Sequence, residues 1–322
     1  MSNAPTAGYD VVKDINFTGG FPTSKDLAPS IVFLVAYIVT VPLLCYRLAR
    51  REDRAILLLR PTIFVGARIA MLVLRIVMTK SSYGVGTLIA ELVLTSVGYL
   101  FLIDPYVESW KRHVQGSVPR AIRPYWVKPL AFSLWVLLFI CIIVTTISGA
   151  LVSRAFDSQS WLTAIRGLRH AAFILSLAVV LLLAFVIIFT HFYFALSVSR
   201  LLHLLIPTCC LIVVAVFRVV QSFTTNPDAP VRSVAAFYVL QLFFEFVAYM
   251  FIISVSLPKW YPGDVTHTQG SRTTNARDLE SGLHGDTGKE TQGYSQSEPQ
   301  QPRWTDRLLI VRLFKYISNR RR

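Results

Sequence analysis

Five charged residues interrupt long apolar stretches of this sequence and are the side chains best suited to chemistry or binding: Arg68, Arg75, Glu91, Arg218 and Glu245. An isolated charge inside a bilayer is costly, so residues of this kind face the protein interior and pair with one another. Guanidinium and carboxylate groups form short, charge-assisted hydrogen bonds. The sequence therefore predicts a buried network in which Arg68 pairs with Glu245, while Glu91 pairs with Arg75 or Arg218.

Two interpretations of this network stay open. In the first, the ion pairs only hold the helices together. In the second, three cations against two carboxylates leave one guanidinium unmatched, and it faces a cavity near the outer leaflet. Such a cation would bind the carboxylate or phosphate of an anionic small molecule or lipid head group.

Seven apolar runs, each long enough to cross a bilayer, must position these charges. The chain has 322 residues, of which 54% are hydrophobic and 16% charged, a composition typical of a polytopic membrane protein. We therefore predict an all-α integral membrane protein, a seven-transmembrane helix bundle over residues 29–258. The predicted spans are Pro29–Leu48, Ile56–Met78, Val85–Ile103, Leu130–Leu151, Leu168–Ser197, Leu202–Phe223 and Ser233–Leu257.

The distribution of Lys and Arg predicts the orientation of the bundle. More of them fall in the joints on the side of the C-terminus than in the opposite joints, which predicts a cytoplasmic C-terminus and an N-terminus outside. Residues 1–28 then form an extracellular or lumenal segment. This segment contains the N-glycosylation sequon Asn16-Phe17-Thr18, so Asn16 is a predicted glycosylation site.

The C-terminal part of the chain is first polar and then basic. Residues 259–303 are rich in Ser, Thr, Gly, Gln and Asp, which predicts a disordered cytoplasmic tail. Residues 304–322 combine an apolar face with basic side chains, which predicts an amphipathic helix on the anionic membrane surface, with a protein partner as the alternative. This polybasic end favours the plasma membrane over the endoplasmic reticulum.

The sequence disfavours several classes of function. The formal net charge is +14, but the basic residues lie between apolar runs or in the tail, so no nucleic-acid partner is predicted. All four cysteines lie inside apolar runs, and the histidines show no ligand-like pair, so neither a metal site nor a cofactor is predicted. Phosphate-binding Gly-rich loops and hydrolase motifs are missing from the sequence, so no enzymatic activity is predicted.

Short motifs mark several spans: Phe64-Val65-Gly66-Ala67-Arg68-Ile69, Ile89-Ala90, Phe217-Arg218, and Phe237-Tyr238 followed by Glu245. Through them the chain resembles a group of fungal seven-transmembrane proteins of unestablished function that are often labelled family-C-like G-protein-coupled receptors. It is similar, more distantly, to the fungal lipid-translocating exporter family through Arg218, Glu245 and Tyr249. The chain departs from the exporter pattern at Gln221 and Ile252, where that pattern has acidic residues.

These resemblances imply two functions. The first is a receptor-like or sensor-like membrane protein that binds an anionic ligand and recruits a cytoplasmic signalling partner. The alternative is a translocator or exporter of lipids or other amphiphiles, and membrane lipids are expected partners in both cases. The sequence shows no internal inverted repeat of the kind found in many transporters, which favours the first function.

Overall fold

The computed structural model describes residues 22–50, 56–81, 84–119, 123–156, 159–224, 226, 229–261 and 263. Within them, seven helices are long and apolar enough to cross a membrane, which confirms the predicted number of spans. These helices are α1 (Leu27–Ala49), α2 (Ile56–Lys80), α3 (Val85–Ser117), α4 (Val127–Ala150), α5 (Gln159–Phe194), α6 (Val198–Phe223) and α7 (Val234–Ser254). A 3-10 turn (Ser24–Asp26) precedes α1, and a short helix, α8 (Leu257–Trp260), follows α7.

Successive helices pack side by side, and α7 returns to α1 to close the bundle. The closing contact is partly polar. The hydroxyls of Ser30 and Tyr238 lie 2.5 Å apart, and the hydroxyl of Thr40 donates to that of Tyr249 over 3.3 Å. The most central helix is α3, because it contacts α5, α6 and α7 as well as its neighbours in sequence.

Each end of the bundle is named here after one residue. The Asp26 end is where α1, α3, α5 and α7 begin, and the Arg60 end is where α2, α4 and α6 begin. The orientation predicted from Lys and Arg places the Asp26 end outside the membrane and the Arg60 end in the cytoplasm.

The central helix α3 is longer than the predicted span Val85–Ile103. Hydropathy falls at Asp104, where the sequence predicts a cytoplasmic joint, yet the helix continues through this residue for several turns. The extension buries Tyr106, Trp110 and Val114, which lie four residues apart on one face. The charged residues on the opposite face of α3 end the apolar run in the sequence. The helix continues past them because its buried face packs against the bundle.

The last spanning helix, α7, is not a regular α-helix. Phe237–Phe243 form a π-helical turn, in which hydrogen bonds join residues five apart, and α-helical winding resumes from Phe244 to Ser254. The N-terminus of α7 is capped by Ser233, whose hydroxyl accepts from the backbone N of Ala236 over 3.2 Å. The π-helical turn ends at Phe243, two residues before Glu245.

The chain after α7 packs on the Arg60 end as far as Gly263. Tyr261 is buried, its hydroxyl lies 2.9 Å from Nδ1 of His203, and burial raises the pKa of this hydroxyl. Gly263 has a φ of +65° and lies against Gly116 of α3, where a Cβ would be 3.2 Å from the Gly263 nitrogen. The predicted start of the tail at residue 259 therefore falls inside the packed part of the chain.

Three predictions concern residues outside the described part of the chain. They are the glycosylation of Asn16, the disorder of the tail beyond residue 263, and the amphipathic helix over 304–322. At the other boundary, the predicted outer segment 1–28 overlaps the bundle, because Asp26 is buried and the first helix begins at Leu27.

The contact between α3 and α4 is very close at Gly149. A Cβ at this position would lie 2.5 Å from Cγ2 of Val93, a separation at which the Val93 side chain or one of the two helices must shift. We expect Gly149→Ala to lower the free energy of unfolding by about 1–3 kcal/mol, measured as a lower melting temperature of the detergent-purified protein.

The matched control for this prediction is Gly167→Ala in α5. No described atom lies within 4 Å of a Cβ at Gly167, so this change is expected to be neutral or stabilising, because Ala favours a helix over Gly. Equal losses in the two variants would contradict the close contact at Gly149.

Candidate functional site

The predicted charge network lies inside the bundle as two clusters along one face of α2. Arg68 and Arg75 are seven residues apart on this helix, which places them on the same face and separates them by about 10 Å along its axis. All five charged residues predicted from the sequence are buried. The Arg75 cluster consists of Asp26, Arg75 and Glu91, and the Glu245 cluster consists of Arg68, Arg218 and Glu245.

In the Arg75 cluster, one guanidinium bridges two carboxylates. Nε and Nη2 of Arg75 donate to Oδ1 of Asp26 over 3.0 and 2.7 Å, and Nη1 donates to Oε1 of Glu91 over 2.9 Å. The ring of Phe237 covers the guanidinium, with its centroid 4.8 Å from Cζ. The planar fork of arginine allows this bridging, which the single nitrogen of lysine does not match. The cluster therefore joins the start of α1 to α2 and α3 near the Asp26 end.

The position of Asp26 was not predicted, because this residue lies within the predicted outer segment 1–28. Its second carboxylate oxygen, Oδ2, accepts hydrogen bonds from the backbone N and the hydroxyl of Thr23 over 2.9 and 3.0 Å. The hydroxyl of Tyr238 in α7 donates to Oδ1 of Asp26 over 3.4 Å. The signal in the sequence is Thr23-Ser24-Lys25-Asp26 directly before an apolar run, a spacing typical of a capping box.

In the Glu245 cluster, one carboxylate lies between two guanidiniums. Nη2 of Arg68 is 2.6 Å from Oε2 of Glu245, and Nη2 of Arg218 is 3.7 Å from Oε1. The ring of Tyr99 lies over Arg218, with its centroid 4.6 Å from Cζ. The carboxylate is thus closer to Arg68 than to Arg218, and it ties α2 and α6 to the middle of α7.

Backbone carbonyls of α3 accept further hydrogen bonds from both guanidiniums of the Glu245 cluster. Arg68 donates to the carbonyls of Leu94 and Thr95 over 3.4 and 3.1 Å. Arg218 donates to the carbonyls of Thr95 and Ser96 over 2.6 and 3.0 Å. The Thr95 carbonyl is therefore shared by two cations, and carbonyl dipoles compensate part of their buried charge.

Gly98 of α3 allows the Arg68 guanidinium to approach this backbone. A Cβ at Gly98 would lie 3.2 Å from Cζ of Arg68, so the guanidinium would have to move by a few tenths of an ångström. We expect Gly98→Ala to weaken the hydrogen bonds of Arg68 to α3 and to lower the free energy of unfolding by about 1 kcal/mol. The measurement is the melting temperature of the purified protein.

Gly66→Ala in α2 is the control for Gly98→Ala. No described atom lies within 4 Å of a Cβ at Gly66, although this glycine also sits inside a spanning helix. The control variant should be as stable as the wild type or more so. Equal melting temperatures of the Gly98→Ala and Gly66→Ala proteins would show that the Arg68 guanidinium tolerates the extra methyl group.

The structure confirms two predicted pairings, Arg68 with Glu245 and Arg75 with Glu91. The predicted count of three cations against two carboxylates omits one buried acid. Asp26 supplies a third carboxylate, so that three carboxylates face the three arginines, and Arg218 approaches Glu245 instead of remaining unmatched. The sequence count missed this acid because Asp26 precedes the first apolar run.

Two further polar side chains near the Glu245 cluster were not singled out by the sequence. Arg169 is buried, and its guanidinium lies 5.5 Å from the centroid of the Phe173 ring, which is also 5.8 Å from Arg218. The hydroxyl of Tyr37 is buried and makes no hydrogen bond to the described residues. Its ring packs edge-on to Phe64, whose centroid lies 5.4 Å from Cζ of Arg68. Aromatic rings therefore enclose the cluster on several sides.

The network holds three arginines and three carboxylates in contact inside the bundle, and among its described residues no nucleophile is paired with a general base. Comparisons with other proteins do not assign the chain to a family. No protein-family model matches the chain, and searches of curated proteins and of solved structures gave no significant match.

Proposed function

We propose that this multi-pass membrane protein is receptor-like or sensor-like, and that an anionic ligand acts at the Arg75 cluster. One observation carries the proposal. Of the two carboxylates bound by Arg75, Glu91 is fixed within α3, whereas Asp26 belongs to a single turn before α1, at the end of the bundle. A carboxylate or phosphate that enters from the Asp26 end can therefore replace Asp26 by displacing only the 3-10 turn Ser24–Asp26 that precedes α1.

The replacement would change contacts in three helices. Release of Asp26 removes the bond from Arg75 to the start of α1 and the bond from Tyr238 of α7. Arg75 shares α2 with Arg68, and Tyr238 shares α7 with Glu245, so both helices lead to the Glu245 cluster. The protein would lie in the plasma membrane. A cytoplasmic signalling partner would bind the Arg60 end and respond to the resulting movement of the helices.

Chemical rescue tests whether an external anion can occupy the position of Asp26. Asp26→Ala should lower the melting temperature of the purified protein, because Arg75 loses one of its two carboxylates. Acetate should restore part of that loss, whereas chloride at equal ionic strength should restore less, because the planar carboxylate matches the fork of the guanidinium and the spherical chloride ion does not. Asp104→Ala, which removes a carboxylate bound by Arg60 at the opposite end, is the control. Equal effects of acetate on the two variants would contradict the proposal.

Lipid translocation is the second candidate function, and the meeting of Arg218 with Glu245 favours it. These residues match the Arg of the sixth span and the Glu of the seventh in the exporter family that the sequence resembles, and they lie 3.7 Å apart. Reconstitution into vesicles with fluorescent phospholipids separates the two functions. A receptor-like protein should move lipid between leaflets no faster than empty vesicles. Lipid movement that Glu245→Gln abolishes would establish the translocator instead.

A further inference from the structure

A cavity of about 650 Å³ lies at the Arg60 end, between α2, α3 and α4. The α3 wall belongs to the extension beyond the predicted span and presents Glu108, Lys111 and Arg112. The α4 wall presents Lys128, Phe132 and Trp135, which recur every three to four residues and so share one helix face. The cavity is thus built by the first turns of α4 against the end of α3.

The polar lining of the cavity has an excess of positive charge. Four cations and two carboxylates line it: Arg60, Lys111, Arg112, Lys128, Asp104 and Glu108. Arg60 binds Asp104, while Glu108 is shared by Lys111 and Arg112 at 2.5 and 3.0 Å. Lys128 forms no ion pair with any residue that the structure describes. Four cations against two carboxylates leave two positive charges for an anion.

The apolar lining continues out of the cavity along α4. Phe132, Trp135 and Phe139 are 64%, 40% and 51% exposed, and their rings stack in sequence with centroids 6.2 and 5.8 Å apart. In a bilayer this exposed strip faces lipid, and Trp is enriched at the level of the head groups. A basic cavity therefore opens onto an aromatic surface that runs toward the middle of the membrane.

We propose that this cavity binds the phosphate-bearing head group of an anionic phospholipid from the leaflet at the Arg60 end. Lys128 and the Lys111–Arg112 pair contact the phosphate, and an acyl chain of the same lipid lies along Phe132 and Trp135. Basic cavities between spanning helices bind anionic head groups in this way. The aromatic strip favours a lipid over a free anion, because a free phosphate has no apolar part that could contact the rings. The site goes beyond the proposed function, since it lies at the opposite end from Asp26.

Native mass spectrometry of the full-length protein tests the proposal directly. The protein is released from detergent micelles that contain phosphatidylglycerol or, separately, phosphatidylcholine, and the bound lipid is counted. The wild type should retain phosphatidylglycerol preferentially. Lys128→Gln should lower its apparent affinity about fivefold, because one cation near a lipid phosphate contributes on this order. Lys128→Arg should keep it, which shows that the site needs a cation and not lysine itself.

Arg50→Gln is the matched control, because it removes an exposed cation at the same end of the bundle, outside the cavity lining. Equal losses from Arg50→Gln and Lys128→Gln would overturn the proposal, as would a Lys128→Gln protein that binds like the wild type.

A second arm separates a lipid from a free phosphate. Trp135→Ala should lower retention of phosphatidylglycerol, and soluble glycerol 3-phosphate should displace that lipid poorly. Displacement at comparable concentrations would show a site for free phosphate and would overturn the lipid assignment. Because no variant in either arm alters the Arg75 cluster, a failure here is distinct from a failure of the acetate rescue.

Discussion

Glu245→Gln is expected to lower the free energy of unfolding by about 3–5 kcal/mol, the range observed when one partner of a buried ion pair is removed. Two guanidiniums, those of Arg68 and Arg218, would remain buried with no carboxylate between them. The measurement is the melting temperature of the detergent-purified protein. Glu108→Gln is the control: this carboxylate also contacts two cations, but it is partly exposed, so its loss should cost less than about 1 kcal/mol.

A double-mutant cycle makes this prediction specific to the observed geometry. Neutralising Arg68 in the Glu245→Gln protein should restore more stability than neutralising Arg218, because the distances to the carboxylate are 2.6 and 3.7 Å. Both arginines keep two carbonyl hydrogen bonds to α3 without Glu245, but those of Arg218, at 2.6 and 3.0 Å, are shorter than those of Arg68, at 3.1 and 3.4 Å. Greater restoration through Arg218 would mean that the carboxylate pairs mainly with α6.

Arg75→Gln is also expected to lower the free energy of unfolding by about 3–5 kcal/mol. In this variant the groups that remain buried without a partner are negatively charged. The carboxylates of Asp26 and Glu91 would face each other in a buried site without the cation that now bridges them. Arg75→Lys should have an intermediate effect, because it keeps the charge but cannot donate in two directions from one plane. The melting temperatures of the wild type, Arg75→Lys and Arg75→Gln should fall in that order. Lys80→Gln, which removes an exposed cation from the same helix, is the control.

A second substitution should relieve the Arg75→Gln protein. Adding Asp26→Asn removes one of the two facing carboxylates, so the double variant should melt at a higher temperature than Arg75→Gln alone. A double variant no more stable than Arg75→Gln would contradict the assignment of Asp26 and Glu91 as two partners bridged by one cation.

The seven spans and the two Arg–Glu pairs were accessible from the sequence for a simple physical reason. Apolar runs of membrane length report helices directly, and a charge inside such a run has few places to find a partner. The depths of Arg68 and Glu245 within their predicted spans were therefore enough to pair them. The partner of Glu91 was left open between two cations, Arg75 and Arg218.

The features missed from the sequence depend on contacts that hydropathy does not report. The continuation of α3 past Asp104 depends on a buried aromatic face, which the charged residues of the opposite face mask in any averaged profile. Asp26 lies two residues before the predicted outer segment ends, in a stretch that reads as polar. The shared carbonyl of Thr95, and the need for Gly98 beside it, arise only once two guanidiniums reach the same turn of α3.

The π-helical turn of α7 sets the angle between Tyr238, which contacts the Arg75 cluster, and Glu245. A π-helical turn accommodates about one residue more than an α-helical turn, so regular α-helical winding of the same segment would rotate Glu245 by about 100° relative to Tyr238. In that phase α7 could present one of the two side chains to its cluster but not both. The winding of a single turn thus allows one helix to reach both clusters at once, although the two clusters share no residue.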